Sequence, residues 1–283
     1  MLGLLFVALT YSESLVEQIN SYPGASWTAK EYDSQFLTRI QKGTNISLNL
    51  RDEPRTPYFE PNDIPEEFDS REVFGSSILS VRNQENCGSC WAFSISEVVG
   101  DQLGVLGCSR GLMSPQDSVS CDTVDQGCNG GEMDSAWQWL VDNGLATDQC
   151  IPYQSGSGRV PTCPNQCKDG GQIERTQIES YKFLEPSEMQ EEIMKKGAIS
   201  VGFVVYLDFY LYKSGVYHHL LGWKLGEHAV IIIGWGVEKG KPYWLVQNSW
   251  GENWGEKGFF KILRGKNHCK IESTVTIGYP KCL

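Results

Sequence analysis

Positive charge is scarce in this sequence: 24 lysines and arginines stand against 35 aspartates and glutamates in 283 residues, a formal net charge of -11. A basic face large enough to bind nucleic acid is therefore not expected. Apart from a short N-terminal run, no apolar stretch approaches the roughly eighteen residues that a membrane-spanning helix needs, so we expect no membrane anchor. Repeats and low-complexity tracts are absent, and the 40% share of hydrophobic residues is typical of a globular protein rather than a disordered or fibrous one.

The N-terminal run MLGLLFVALT, residues 1–10, is apolar but too short to cross a bilayer. It lies where the core of a secretory signal would lie, and we predict a signal peptide over residues 1–12. Because a basic flank is missing, a buried N-terminal segment is the alternative. Ten cysteines favour the secretory pathway, since outside the cytosol this density usually means disulfide bonds.

The next region differs from the rest of the chain. Residues 14–43 carry apolar side chains at helical spacing around a Tyr-Pro-Gly break, and a charged stretch with four prolines follows over 51–65. These prolines prevent regular structure, so we expect an extended linker that is open to cleavage. The sequence predicts a pro-segment over 13–63 and a main domain over 64–283.

Within the main domain the pattern changes near residue 175. The first part favours helices, at 91–106 and at 132–141 with an Asn-Gly stop after it. The second part is rich in β-branched and aromatic residues and favours strands at 199–206, 229–237, 243–248 and 259–263. This order predicts an α+β fold with a helical lobe over about 64–175 and a β-rich lobe over about 176–275.

The most informative segment is 84–93, with the sequence QENCGSCWAF. A Gly-Ser turn leads directly into the first helical pattern and places Cys90 at a helix N-terminus. Unpaired backbone amides and the helix dipole favour the thiolate there. Because the thiolate is the form that attacks a carbonyl carbon, Cys90 is a candidate nucleophile.

A general base has to come from another part of the chain. Of the four histidines, only His228 begins a strongly apolar strand, and the chain returns as a second strand that ends near Asn248. If the two strands form a hairpin, His228 and Asn248 meet at one end. The Asn248 amide would then orient the imidazole toward the thiolate, and Trp250 would shield that hydrogen bond from water. Cys90, His228 and Asn248 form a nucleophile, base and orienter set.

These segments resemble the active-site signatures of the papain and cathepsin family. Four motifs occur in the family's order, at 84–93, 127–131, 226–229 and 248–251, and the resemblance is closest to cathepsin B, through 212–217, 258–265 and the short pro-segment. It implies a papain-like fold of a helical left lobe and an antiparallel, barrel-like right lobe. It also implies a cysteine endopeptidase made as a self-inhibited zymogen and found in a lysosome-like vesicle or secreted.

The resemblance further assigns roles to single residues. Gln84 would donate its side-chain amide to the oxyanion, with the backbone amide of Cys90 as second donor, and loss of one such donor typically costs on the order of 3 kcal/mol of barrier. Gly131 would pair with the substrate backbone, where a side chain would obstruct close approach. We expect the substrate cleft to be lined by Gly130, Gly131, Met133, Gly202, Ala229, Trp250 and Thr274.

Two departures from cathepsin B affect the expected specificity. The region that matches the occluding loop is only 154–162, without its histidines, which predicts an open primed side and little exopeptidase activity. The acid of the cathepsin B S2 pocket falls here at Thr274, which predicts apolar P2 residues (P2 is the second residue before the scissile bond). Glu132 beside the pocket could still attract a basic P2 residue.

The resemblance also pairs six cysteines, Cys87 with Cys128, Cys121 with Cys163 and Cys150 with Cys167. Cys108, Cys269 and Cys282 then remain, and a Cys108–Cys282 bond is one open alternative because sequence alone does not determine connectivity.

The same residues allow other interpretations. Residues 87–90 could form a redox CxxC motif, but this leaves Gln84, His228 and Asn248 unexplained. A zinc site lacks paired CxxC units, and we expect neither a metal nor an organic cofactor. A non-catalytic binding protein on the same fold would usually have lost the nucleophile, which is present here. The expected partners are protein and peptide substrates, the chain's own pro-segment and cystatin-like inhibitors, and we expect a monomer.

Overall fold

The computed structural model of the chain describes residues 14–44, 47–54 and 64–282. The predicted signal peptide, 1–12, and the central part of the predicted linker, 55–63, lie outside the described residues. No helix in the described ranges is both long and apolar enough to cross a membrane.

Helices and strands are both well represented. The α-helices of the described residues are α1 Leu15–Asn20, α2 Ser34–Thr44, α3 Ser70–Phe74, α4 Cys90–Val105, α5 Pro115–Cys121, α6 Met133–Asn143 and α7 Met189–Lys196. The strands are β1 Trp27–Ala29, β2 Phe68–Asp69, β3 Ile178–Phe183, β4 Ile199–Tyr206, β5 Tyr212–Tyr217, β6 Lys224–Glu238, β7 Lys241–Gln247, β8 Phe259–Leu263 and β9 Thr274–Pro280. Apart from α1 and α2, four of the remaining five helices precede residue 175, and the long strands follow it, as an α+β fold requires.

The strands form one sheet in the order β1-β5-β8-β7-β6-β4-β9-β3, with β2 paired to β6. Apart from the parallel pair β5 and β8, neighbouring strands are antiparallel. Strand β6 is the longest and lies between β4 and β7. It starts five residues before the predicted 229, because Lys224, Gly226 and Glu227 continue the pairing with β4 although their pattern is not apolar.

Strands β6 and β7 form the predicted hairpin. Their register pairs Ile231 with Gln247 and Glu238 with Lys241, so the turn lies at residues 239 and 240. His228 lies three residues before Ile231 and Asn248 one residue after Gln247, which brings both to the open end of the hairpin.

Helix α4 forms the centre of the molecule. It is 16 residues long, and every residue from Cys90 to Leu103 is buried. It packs against β6 and β9 on one side and against α5 and α6 on the other. A helix that is buried on nearly every side belongs to a core. The sequence predicted it over 91–106, so the observed helix begins and ends one residue earlier.

The described part of the N-terminal region, residues 14–44 and 47–54, is part of the folded body. Strand β1, which the sequence did not predict, pairs with β5 through Trp27 and Gly215. The indole of Trp27 is buried and lies 5.1 Å from the ring of Tyr217 and 6.1 Å from that of Tyr212. A three-residue strand gives little periodicity to detect, and its stability comes from this contact with distant residues.

Four disulfide bonds are present. Cys87 is bonded to Cys128, Cys121 to Cys163 and Cys150 to Cys167, which are the three pairs that the resemblance implied. The fourth joins Cys108 to Cys282 across 174 residues and ties the end of α4 to the C-terminal segment. Cys90 and Cys269 are free thiols. A bond across so long a loop limits the unfolded chain strongly.

Candidate active site

Cys90 is the first residue of α4 and is fully buried. Ser89 precedes the helix, and its carbonyl accepts hydrogen bonds from the amides of Ala92 and Phe93 at 2.9 and 3.0 Å. Burial raises the pKa of the Cys90 thiol to about 12, and hydrogen bonds from the backbone amides of Ala229, Trp91 and Cys90 itself act in the opposite direction. The amides at this helix start thus face the sulfur, while the covered cleft opposes ionisation.

His228 lies on β6 with its ring fully buried. Its Nε2 lies 2.7 Å from Oδ1 of Asn248, and the same Oδ1 accepts the backbone N–H of Ser249 at 2.8 Å. Because the Ser249 amide can only donate, the atom beside it is the amide oxygen, and His228 Nε2 therefore carries the proton. Nδ1 is left with a free lone pair, and no partner for it exists among the described residues.

Aromatic rings enclose this histidine. The indole of Trp250 lies nearly parallel to the imidazole, with centroids 4.9 Å apart and planes at 28°. Phe203 contacts the ring edge-on at 5.9 Å. Burial lowers the pKa of His228 to about 4, partly offset by the Asn248 hydrogen bond. Trp250 thus covers the His228–Asn248 hydrogen bond, in the position that the sequence predicted.

Gln84 is buried beside the start of α4. Its Nε2 donates to the carbonyl of Cys87 at 2.9 Å and to the carbonyl of Gly43 at 3.1 Å. Its Oε1 accepts the hydroxyl of Ser249 at 2.6 Å. Ser249 therefore holds the amide with its nitrogen toward the cleft, a role that sequence reasoning missed although the residue directly follows Asn248.

One of the two carbonyls that accept a hydrogen bond from Gln84, that of Gly43, belongs to the predicted pro-segment. Gly43 is at the end of α2 and is buried. A Cβ at this position would lie 2.8 Å from Gln84 Nε2 and 3.3 Å from the carbonyl oxygen of Glu85. Only glycine allows the backbone to come this close, and its carbonyl receives the donor that is predicted to bind an oxyanion.

Residues 48–51 of the same region lie over the predicted S2 pocket. Gly202 pairs with Ala229 on β6 and with Thr274 on β9, so the three predicted pocket residues are neighbours in the sheet. A Cβ on Gly202 would lie 2.3 Å from a methyl carbon of Leu50, so that side chain rests on the glycine. The hydroxyl of Thr274 accepts the backbone amide of Arg51 at 2.9 Å.

The opposite wall of the cleft is the loop that carries Gly130 and Gly131. A Cβ on Gly131 would lie 2.6 Å from the indole of Trp91, which explains the need for glycine. Met133 follows as the first, buried residue of α6. The loop is held to the active-site turn by the Cys87–Cys128 bond and by the amide of Gly88, which donates to the carbonyl of Cys128 at 2.9 Å.

Two carboxylates flank the pro-segment in the cleft. Glu132 accepts a hydrogen bond from the side-chain amide of Asn49. Glu227 accepts the backbone amide of Leu48 at 2.7 Å, and Lys224 lies 3.0 Å from its other oxygen. Sequence reasoning considered Glu132 but missed Glu227, whose position directly before His228 was the available signal.

Several known proteins are similar to this chain in sequence and in architecture. The family model of the papain family cysteine proteases matches residues 64–279. The cathepsin B-like protease CP2 of Giardia intestinalis is 41% identical over 233 residues, 80% of this chain and 78% of that protein. Cathepsin B-like cysteine proteinase 5 of Caenorhabditis elegans is 34% identical across 96% of this chain and 91% of its own length. A solved procathepsin B of Trypanosoma congolense superposes with a TM-score of 0.84 at 30% identity, covering 96% of this chain and 99% of that chain. The chain belongs to the papain family of cysteine proteases and is cathepsin B-like.

Proposed function

We propose that this chain is a cysteine endopeptidase made as a self-inhibited zymogen, in which Cys90 is the nucleophile and His228 the general acid and base. One observation carries the proposal. Gln84 points its amide nitrogen at a carbonyl oxygen in the cleft beside Cys90, while Asn248 holds His228 with Nδ1 unprotonated. These contacts support the proposal because the predicted oxyanion donor binds a peptide carbonyl, and the predicted nucleophile and base lie in the same cleft.

The reaction follows from these atoms. Nδ1 of His228 takes the proton of the Cys90 thiol, and the sulfur attacks the carbonyl carbon of the substrate. The negative charge that forms on the carbonyl oxygen is stabilised by the Gln84 amide and the Cys90 backbone N–H. His228 then protonates the leaving amine as the C–N bond breaks, which leaves a thioester. Water, deprotonated by the same imidazole, attacks the thioester and releases the acid and the thiol.

The protonation states support inhibition by the pro-segment. Burial raises the pKa of Cys90 and lowers that of His228, so both shifts favour the uncharged thiol and imidazole while Gly43 and residues 48–51 cover the cleft. Removal of the pro-segment hydrates both groups and favours the thiolate and imidazolium. Cleavage between Arg51 and Glu67 would separate the inhibitory residues from the catalytic domain.

Endopeptidase action is supported by the segment at 154–162. It contains a single 3-10 turn, Ser155–Ser157, and none of the four histidines of the chain. Without histidines there to bind a terminal carboxylate, a free C-terminus should give no advantage. Two peptides that differ only in a free or amidated C-terminus should be cleaved at similar rates, and a strong preference for the free acid would contradict this proposal.

An apolar P2 preference is supported by the occupant of the pocket. Leu50 of the pro-segment rests on Gly202, and the hydroxyl of Thr274 beside it carries no charge. We expect Leu, Val or Phe to be favoured at P2. The carboxylates of Glu132 and Glu227 contact Asn49 and Leu48 of the pro-segment rather than Leu50. If the enzyme accepted arginine at P2, one of these two carboxylates would be the group that attracts it.

Cleavage of a P2-varied fluorogenic peptide library after removal of the pro-segment tests the function. Wild type and Cys269→Ala should both cleave, since Cys269 is the other free thiol, and Cys90→Ala should not. Turnover by Cys90→Ala would contradict the assignment of the nucleophile. No turnover by folded, processed wild type would favour a non-catalytic binding protein. We also propose that the protein is a monomer, that it is found in a lysosome-like vesicle or secreted, and that cystatin-like proteins inhibit it.

A further inference from the structure

Strand β1 of the pro-segment lies at the edge of the sheet. It is the first strand in the sheet order and β5 is its neighbour, so β5 becomes an edge strand when the pro-segment is removed. Trp27 pairs with Gly215, and the amide of Val216 donates to the carbonyl of Ser26 at 3.0 Å. Processing would leave the β5 side of this pairing without a partner, and a free sheet edge is a template for another extended chain.

The side chain of Trp27 fills a tryptophan socket, which we define as the rings of Tyr212 and Tyr217 and the carbonyl of His218. The indole is buried, with its ring 5.1 Å from that of Tyr217 and 6.1 Å from that of Tyr212. Its N–H donates to the carbonyl of His218 at 2.9 Å. An aromatic wall with one acceptor aimed into it suits an indole, because this side chain combines a large apolar ring with a ring N–H donor.

Contacts within the main domain hold the tryptophan socket in place. The hydroxyl of Tyr212 lies 2.9 Å from a carboxylate oxygen of Glu256, whose other oxygen lies 3.3 Å from the ammonium of Lys261. The hydroxyl of Tyr217 donates to the buried carboxylate of Asp208 at 2.8 Å. These five residues all lie outside the pro-segment, so we expect the socket to keep its shape after processing.

Contacts around Ser26 add a preference for a small residue before the tryptophan. The Ser26 hydroxyl donates to the carbonyl of Val216 at 2.7 Å and lies 2.9 Å from Nδ1 of His218. Gly215 also approaches Ser26 closely, since a Cβ there would lie 2.5 Å from the Ser26 carbonyl oxygen. The matching ligand is an extended segment in which serine or another small residue precedes a tryptophan.

The tryptophan socket lies near enough to the cleft for one chain to occupy both. The ring of Tyr212 lies 5.5 Å from that of Trp254, Trp254 lies 4.9 Å from Trp250, and Trp250 lies 4.9 Å from the ring of His228. Three ring contacts therefore join the socket to His228. An extended chain spans about 3.3 Å per residue, so a spacer of roughly six to twelve residues is long enough.

We propose that the processed enzyme uses β5 and the tryptophan socket as an exosite, a binding site outside the cleft, for protein substrates that carry a small residue followed by tryptophan in an extended segment. The inference rests on the proposed endopeptidase function and deepens it. Main-chain pairing with β5 would supply affinity and the socket would supply specificity. Binding there raises the effective concentration of the scissile bond at the cleft.

Fluorogenic peptides with one fixed cleavage sequence test the proposal when a Gly-Ser spacer of about 6, 12 or 18 residues joins them to the segment ASWTA, as in residues 25–29, or to ASATA. For processed wild type we expect ASWTA to lower KM about tenfold relative to ASATA at one spacer length or more, with kcat unchanged. Gly215→Ala should remove the difference, because its methyl would obstruct the incoming chain. Gly240→Ala is the matched control: its φ is also positive, at 74°, but its methyl would meet nothing within 4 Å.

The outcomes separate the two proposals. Equal KM for the two segments at every spacer length, or a difference that persists in Gly215→Ala, overturns the inference and leaves the endopeptidase intact. Co-elution of the cleaved pro-segment with the processed enzyme would show that β1 keeps the edge filled, and it overturns the inference as well. No cleavage of any peptide by folded, processed wild type overturns both proposals.

Competition in the wild type decides if Gly215→Ala fails to fold. An excess of free ASWTA peptide should raise the KM of the ASWTA substrate about tenfold and leave that of the ASATA substrate unchanged. An unchanged KM for both substrates overturns the inference.

Discussion

At the residue scale, the hydroxyl of Ser249 orients the side-chain amide of Gln84, the proposed oxyanion donor. The side-chain amide of Gln84 could also fit with its oxygen toward the cleft. In that orientation the oxygen would repel the negative charge that develops on the substrate carbonyl. The hydrogen bond from Ser249 to Gln84 Oε1 at 2.6 Å prevents that orientation. Tyr153 supports the same segment, since its hydroxyl donates to the Gln84 carbonyl at 2.9 Å. We expect both residues to act through Gln84.

We therefore expect Ser249→Ala to lower kcat by about tenfold with little change in KM, against a loss of about 10²–10³ for Gln84→Ala. Steady-state kinetics of the processed enzymes would measure both. The double variant should be no slower than Gln84→Ala alone, because the hydroxyl acts only through that amide. Ser96→Ala is the matched control, because it removes a different buried serine hydroxyl, one that lies on α4. Additive losses in the double variant would show that Ser249 acts independently.

At the scale of elements, α4 carries two buried acids in addition to Cys90. Burial raises the pKa of Glu97 to about 8, although the nearby Arg82 charge acts against this. The pKa of Asp101 is also raised well above its usual value, although it accepts the amide of Leu79. An acid with a raised folded pKa stabilises the fold fully below its unfolded pKa and loses that contribution as the pH rises through the folded value. The core helix is thus better suited to acidic than to neutral solution.

Glu97→Gln should make the stability less dependent on pH. Below about pH 5 the carboxyl is neutral like the amide, so Tm should change little. At pH 8 to 9 the variant should melt several degrees higher than wild type, because it avoids a buried charge. Thermal unfolding of Cys90→Ala versions, which avoids self-digestion, would measure this. Glu191→Gln on the exposed side of α7 is the control, and an equal pH dependence in Glu97→Gln and wild type would contradict the prediction.

Helix α2 is the element whose fit controls the covered cleft. Gly43→Ala should strengthen the isolated helix, since alanine favours a helix over glycine by about 1 kcal/mol. It should nevertheless weaken docking, because the added methyl would lie 2.8 Å from Gln84 Nε2. We expect faster activation of the zymogen and weaker inhibition by an added pro-segment peptide. Gln35→Ala, at an exposed position of α2 that does not line the cleft, should leave both unchanged. Unchanged inhibition by the Gly43→Ala peptide would show that the cleft contact is unimportant.

At the scale of the whole molecule, we expect the proposed pro-segment to keep the Cys90 thiol and the His228 imidazole uncharged. Rates of alkylation of Cys90 by iodoacetamide, measured against pH, would report its thiolate fraction. In the intact chain we expect slow alkylation from pH 5 to 8, since the thiol pKa is raised to about 12 by burial. After processing, the rate should rise by at least about 10² in this range. Cys90→Ala gives the background from Cys269, and equal rates before and after processing would contradict the mechanism of inhibition.

Local sequence determined much of the fold and of the site. The turn at residues 88 and 89, the apolar run after His228 and the Asn-Gly stop after α6 act over a few residues, so the helix at Cys90, the strands and the hairpin were predictable. The hairpin then brings His228 and Asn248 together without further information. Positions of strand ends and the short β1 were not predictable, because pairing with distant strands determines them.

Only the tertiary structure decided which distant residues meet in the cleft. Three contacts join residues that are 41 to 179 positions apart: Gly43 with Gln84, Leu50 with Gly202, and Leu48 with Glu227. The same holds for the bond between Cys108 and Cys282, one of several pairings that the sequence allowed. Such contacts depend on packing of the complete chain, since short-range propensity carries no information about what a side chain meets after the lobes and the pro-segment have come together.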